Sequence, residues 1–173
     1  MTLNNFKIKF YISKFLGLNG DPFQDIKKLI KKNETKVIFD CGANVGKITA
    51  KFKSNFPNSK IICFEPFIGS FSKLYEKYWN PKDIILINKA VSENSGVNQF
   101  YIYDDPTCNS LFYKPNNGKF SGDHKVIESI TVDTVSINDY CLVNSIPVSY
   151  KHLTLLTIYS VQISVIAVSF KQI

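Results

Sequence analysis

The sequence predicts an α/β fold: a mostly parallel sheet with helices on both faces, followed after its third strand by an antiparallel β insertion. Three observations predict it. Short, continuous apolar runs recur at Val37 to Phe39, Ile61 to Phe64 and Ile84 to Ile87. Helix-compatible segments lie between them, and this alternation belongs to parallel strands buried on both faces and joined by right-handed crossovers. After Val91 the rhythm changes to alternating, aromatic or β-branched runs, which read as antiparallel strands.

The elements follow in order. From Phe6 to Leu18 dense apolar residues are mixed with Lys7, Lys9 and Lys14, which predicts a short packing helix rather than a secretory signal. Asp21-Pro22 offers an N-cap and an N1 proline to a second helix, with Phe23, Ile26, Leu29 and Ile30 on one face and lysines toward its end. Its lysines read as a solvated face rather than a phosphate or lipid patch. These helices, residues 1–34, are expected to pack on the core. Strand Val37 to Phe39 leads through a Gly-containing loop to the helix KITAKFKSNF, which the breaker Pro57-Asn58 ends. The second strand, Lys60 to Phe64, stops at Glu65-Pro66, and the next helix carries Phe71, Leu74, Tyr75 and Tyr78 on its apolar side. The insertion is expected over about residues 97–137, with Asn117-Gly118 as a candidate hairpin turn. Ile137 to Leu142 predicts a short helix. Residues 35–152 thus form the main domain, and 153–173 a final strand and tail of the same domain.

Composition excludes several classes. The chain has 173 residues, 45% of them hydrophobic and 20% charged, which suits one soluble globular domain. Its net charge is +7, yet every basic residue is Lys. Base and phosphate recognition favours the bidentate guanidinium of Arg, and no stripe of Lys with stacking aromatics marks a groove, so no nucleic-acid partner is expected. The four cysteines, Cys41, Cys63, Cys108 and Cys141, form no C-x-x-C pair and no zinc-like spacing. Reduced thiols, no metal and a cytoplasmic location are therefore the expectation.

The stretch Val37 to Thr49, VIFDCGANVGKIT, carries the chemistry. A strand delivers Asp40 to the C-terminal edge of the sheet, Gly42 and Gly46 let the backbone turn tightly, and the next helix directs its free N–H groups at the same space. Asp40 suits an ammonium and the helix start suits a carboxylate, so the methionine part of S-adenosylmethionine matches this loop better than a pyrophosphate does. Glu65 ends the second strand 19 positions after Gly46, where an acid can accept hydrogen bonds from both ribose hydroxyls. After the third strand, Asn88 offers amide groups to an adenine edge and Ala90 is small enough to leave room for the ring. An ordinary capping acid at Glu65 and a turn-forming Asn88 are the plainer readings of those residues taken singly.

The motifs DCGANVG, Phe64-Glu65-Pro66 with Leu74, NKAVS with Gly96 and Phe100, Ser110-Leu111, and VDTVSINDY together resemble the FkbM-type methyltransferases, a family within the class I, Rossmann-like fold. The likeness spans roughly Val37 to Tyr140. It implies that Asp40, Gly42, Ala43, Asn44 and Gly46 surround the methionine moiety, that Glu65 holds the ribose, and that Pro66, Phe67, Asn88 and Ala90 border adenine. It also implies O-methylation of a small-molecule or sugar hydroxyl. Members usually continue with a strand ending Lys-Ile-Asp-x-Glu-Gly, whereas here Thr157, Tyr159 and Val161 stand at the charged positions. The uncharged run Leu153 to Phe170 leaves three readings: a fourth parallel strand with a frayed tail, a membrane helix, or a shifted reading frame that leaves the C-terminal part incomplete. No residue stands out as a general base; His124 and Asp133 fall in the insertion. A truncated, inactive fragment and a nicotinamide-dependent oxidoreductase are the competing functions, the latter disfavoured by the missing Gly-x-Gly-x-x-Gly.

Overall fold

The computed structural model describes residues 36–113, 124–146, 152–158 and 161–169, the last two segments as backbone. The two N-terminal helices and the Asn117-Gly118 turn expected from sequence lie outside the described residues.

The first half of the main sheet is the expected parallel unit. Strand β1 (Lys36–Cys41) leads to helix α1 (Lys47–Asn55), β2 (Lys60–Phe64), α2 (Ile68–Tyr78) and β3 (Ile84–Ile87). β1 pairs in parallel with β2, Phe39 opposite Ile62, and β2 with β3, Ile62 opposite Ile85. Alternation along the strands divides their side chains between two faces. Val37, Phe39 and Cys41 join Ile62 and Phe64 in a core cluster with Ile137 and Cys141. The latter two belong to α3 (Ile137–Val143), capped by the Ser136 hydroxyl, which accepts from the Asp139 amide. Tyr140 closes this cluster edge-on against Phe39 and Phe64. The opposite face carries Asp40 and Cys63 against α1, whose Thr49 reaches both. Helices therefore cover both faces, as a parallel sheet requires. Phe39, Phe52 and Phe64 are fully buried, and truncating any one to alanine is expected to cost about 3–5 kcal/mol.

Helix α2 differs from its sequence expectation in its buried side. Leu74 is buried, but so is Ser70, while Tyr75 is 53% exposed. The reason is local: α2 is seated by Leu74 and Tyr78 against the backbone at Gly46, one turn apart, and that contact rotates Tyr75 outward.

The insertion forms a separate three-stranded sheet ordered β4-β6-β5 from β4 (Ala90–Val91), β5 (Gly96–Tyr103) and β6 (Val126–Val135). β5 and β6 are antiparallel, with an irregularity between Ile102 and Tyr103, and β4 pairs in parallel with β6. Ala90, Phe100, Ile102 and Val132 form its small core.

The run expected as a fourth parallel strand is two strands. β7 (His152–Ile158) and β8 (Val161–Ser169) pair antiparallel, and β8 pairs antiparallel with β1, giving the order β3-β2-β1-β8-β7. Only residues 159–160 separate the two strands, and a connection that short joins neighbouring strands antiparallel, because a parallel pair needs a crossover of a dozen or more residues. β8, with Val161, Ile163, Val165, Ile166 and Val168, is the richer in β-branched residues and takes the inner position. The membrane-helix reading of this run is overturned: its described residues, 153–158 and 161–169, are strands, and among the described residues no helix is long and apolar enough to cross a membrane.

Candidate functional site

The C-terminal ends of β1, β2 and β3 meet at a loop whose backbone is unusual. Gly42, Asn44 and Gly46 all have positive φ, at 80°, 50° and 77°. The first two loop amides extend the sheet: Gly42 and Ala43 both donate to the Phe64 carbonyl, at 2.8 and 3.0 Å. The next, of Asn44, donates to Glu65 Oε2 at 2.9 Å. Gly46 then closes the turn by donating to the Ala43 carbonyl at 2.8 Å and begins α1, which has no side-chain cap and no acid in its first turn.

The two glycines do different work. A Cβ on Gly42 meets nothing within 4 Å, so the loop there borders open space. One on Gly46 lies 2.6 Å from the Tyr78 ring and 2.8 Å from Leu74. Gly46 is thus required by the close approach of α2, whose Tyr78 hydroxyl also donates to its carbonyl at 3.3 Å, rather than by a ligand.

The two acids are both buried, yet differently satisfied. Asp40 Oδ2 accepts from the Thr49 hydroxyl at 2.7 Å, and Oδ1 has no hydrogen-bond partner. Burial pushes its pKa up to about 6, against which the Thr49 hydrogen bond works. Glu65 uses both oxygens: Oε1 accepts from the Phe67 amide and Oε2 from that of Asn44, each at 2.9 Å. Burial also raises its pKa, and these two amides oppose the rise. Glu65 therefore clasps the β1–α1 loop to the β2–α2 turn.

Asn88 joins the same clasp from β3. Its Nδ2 donates to the carbonyls of Glu65 at 2.8 Å and Pro66 at 3.1 Å, which leaves the Oδ1 acceptor facing outward from these contacts. Pro66 and Phe67 follow Glu65 in the turn, half-buried, and the Phe67 ring packs on the core of the second sheet. Ala90 is buried in that same core beside Phe100, Ile102 and Val132, the cluster on which the Phe67 ring packs. The structure thus brings Asp40, Gly42, Ala43, Asn44, Gly46, Glu65, Pro66, Phe67 and Asn88 to the strand ends, with Ala90 in the neighbouring core on which Phe67 packs.

Sequence reasoning missed two participants. Thr49, the hydrogen-bond partner of Asp40, sits in the first turn of α1, and a hydroxyl in the turn after a strand-end acid was the available signal. Tyr78 is separated from Gly46 by 32 residues and left no local trace. The cysteines agree with expectation: Cys41, Cys63 and Cys141 are buried and all four are free. Burial pushes the Cys63 thiol up to about 12, which removes it as a nucleophile. His124 faces Asp104 within the insertion, whereas Asp133 is ion-paired with Lys89, the residue after Asn88.

An adenosyl sulfonium amino acid fits two features here. The unpartnered Asp40 oxygen has the charge and acceptor capacity for an ammonium, although it is wholly buried, and the open space over Gly42 admits close backbone approach. No family model matches the chain, and no curated protein does. Among solved structures, the chain is similar to a protein from Listeria monocytogenes assigned as an S-adenosylmethionine-dependent methyltransferase, at 8% identity and a TM-score of 0.33 over 87% of this chain and 98% of that one, a likeness too loose to support any inference.

Proposed function

We propose that this chain binds S-adenosylmethionine at the C-terminal ends of β1, β2 and β3 and methylates a hydroxyl oxygen on a small molecule or sugar. The observation that carries the reading is the pair of carboxylates, Asp40 and Glu65, at the tips of adjoining parallel strands around a left-handed glycine loop. The FkbM-type resemblance of the motifs adds the class of acceptor. When bound, the cofactor supplies an electrophilic methyl on a sulfonium.

The roles follow from the atoms. Asp40 Oδ1, lacking a partner, would accept from the ammonium, which offsets the cost of its burial. Gly42 lets the backbone approach the ligand. Each Glu65 oxygen already accepts one amide and retains acceptor capacity for a ribose hydroxyl. Asn88 Oδ1 is an acceptor suited to the exocyclic amine of adenine. Acceleration would come mainly from holding the acceptor oxygen in line with the methyl.

A second reading, an inactive methyltransferase-like chain with weak or no cofactor binding, is favoured by one observation. The neighbour of β1 is the antiparallel β8, and residues 153–170 carry no acid or base that could handle the acceptor proton.

Calorimetry with S-adenosylmethionine and S-adenosylhomocysteine tests the site. Binding is expected, with affinity for both ligands, each of which bears the amino-acid ammonium, rising as pH increases through about 6, where Asp40 ionises, and with Asp40→Asn abolishing that rise. No binding of either at millimolar concentration by the folded chain overturns the reading, and tighter binding of NADH replaces it with an oxidoreductase. Release of S-adenosylhomocysteine with a panel of hydroxylated acceptors separates the first reading from the second.

A further inference from the structure

The β insertion holds a cluster that the strand-end site does not use. Asp105, Cys108 and His124 each direct a ligand-type atom to one spot, and these atoms all lie within 4.8 Å of one another. We propose that Asp105, Cys108 and His124 form a binding site for a zinc-class divalent cation, independent of the function proposed above.

The turn that carries two of the three is built for it. Residues Pro106–Cys108 form one turn of 3₁₀-helix, with the Cys108 amide donating to the Asp105 carbonyl at 2.9 Å. Asp105 caps this turn and Cys108 ends it, which leaves their ligand atoms within 4.8 Å of each other. Asp105 is fixed by its own cap: Oδ1 accepts from the Thr107 amide at 2.8 Å and the Thr107 hydroxyl at 2.7 Å, which leaves Oδ2 for a cation.

The third ligand arrives through the sheet. Pairing of β5 with β6 sets Tyr103 opposite Val126, and the Asp104 amide donates to the Lys125 carbonyl at 3.0 Å, which brings His124 alongside the turn. Asp104 Oδ1 accepts from the Lys125 amide at 3.2 Å and lies 3.2 Å from His124 Nδ1. A carboxylate on one imidazole nitrogen fixes the tautomer and leaves the other nitrogen's lone pair for a metal, the usual second partner of a metal-bound histidine.

The donor set selects the ion. One thiolate, one imidazole and one carboxylate suit zinc and its neighbours, whereas magnesium and calcium require oxygen ligands throughout. Tetrahedral bonds of about 2.0–2.3 Å put ligand atoms roughly 3.3–3.8 Å apart, so closure takes adjustments on the order of 1 Å, within the reach of partly exposed rotamers. Three protein ligands leave a fourth position for water. The ion would clip the 3₁₀ turn to the start of β6. Sequence spacing hid the site because Cys108 has no cysteine partner and His124 is brought in only by strand pairing.

The experiment is titration of the reduced, chelator-treated full chain with cobalt(II) alone, followed by zinc displacement. One-to-one binding with a thiolate-to-cobalt charge-transfer band is expected, and zinc should bleach it. Cys108→Ser should abolish the band, His124→Gln should weaken affinity by at least about tenfold, and Asp104→Asn by about 10–100-fold through the imidazole. Circular dichroism verifies that each variant folds, and these partly exposed positions make folding the expected result. No charge-transfer band with micromolar cobalt in the folded chain overturns the proposal. So does a band that persists in Cys108→Ser, or displacement by magnesium as readily as by zinc.

Discussion

The tips of β1 and β2 carry the same chemical group in opposite states of satisfaction. Glu65 at the β2 tip is buried but spreads its charge over two backbone amides from different loops. Asp40 at the β1 tip is wholly buried, holds one hydroxyl and leaves an oxygen orphaned. The contrast lies in how far hydrogen bonds follow each carboxylate inward. Desolvating a carboxylate costs less when hydrogen bonds follow it inward, so Glu65 stabilises the fold as a clasp. Asp40 keeps one oxygen without a partner, so hydrogen bonds offset its burial less completely than they do at Glu65.

The sharpest way to break this comparison is to remove the clasp. Glu65→Ala strips the acceptors from the Asn44 and Phe67 amides, and two charge-assisted hydrogen bonds of about 1.5–3 kcal/mol each, reduced by the partial exposure of the amides, give an expected loss of about 3–4 kcal/mol. Urea denaturation measures it; an unchanged midpoint would mean that the loops hold without Glu65.

Asp40 should show itself through pH. Its folded-state pKa of about 6 lies above the ordinary 3.8, so folding takes up a proton between those values. This contribution to stability is fully present below about pH 4 and is lost as pH rises through about 6, a fall of roughly 3 kcal/mol in all. Asp40→Asn should flatten that dependence in urea unfolding across the same range. If the slope survives the substitution, Asp40 is not the group that titrates.

The two glycines give the smallest and most specific contrast. Both adopt left-handed backbone, so alanine strains each by about 1–2 kcal/mol. Only at Gly46 does the added methyl overlap Tyr78 and Leu74, so Gly46→Ala should unfold more easily than Gly42→Ala by about 2 kcal/mol. Equal losses would remove the distinction between a packing glycine and one that borders open space.

Much of this was legible in residue order. The three apolar runs became β1, β2 and β3, and the alternating runs after Val91 became β5 and β6, because strand burial imprints itself on the local pattern. The short helix expected over Ile137 to Leu142 formed as Ile137–Val143. The final run was not legible: Leu153 to Phe170 is long enough for one helix or two strands, and apolar content alone does not separate them. Tyr75 illustrates the same limit within a helix, since periodicity placed it on the buried side and a close contact at Gly46 turned it out.

Sequence by itself determined the parallel unit, the left-handed loop Gly42 to Gly46 and the strand-end positions of Asp40 and Glu65, because each depends on neighbours in the chain and on the period of the strands. Tertiary structure alone decided that Glu65 is clasped while Asp40 is left with an orphaned oxygen, that Gly46 serves α2, that β8 lies beside β1, and that His124 meets Cys108. Those outcomes turn on hydrogen-bond partners and contacts far apart in sequence, which only packing selects.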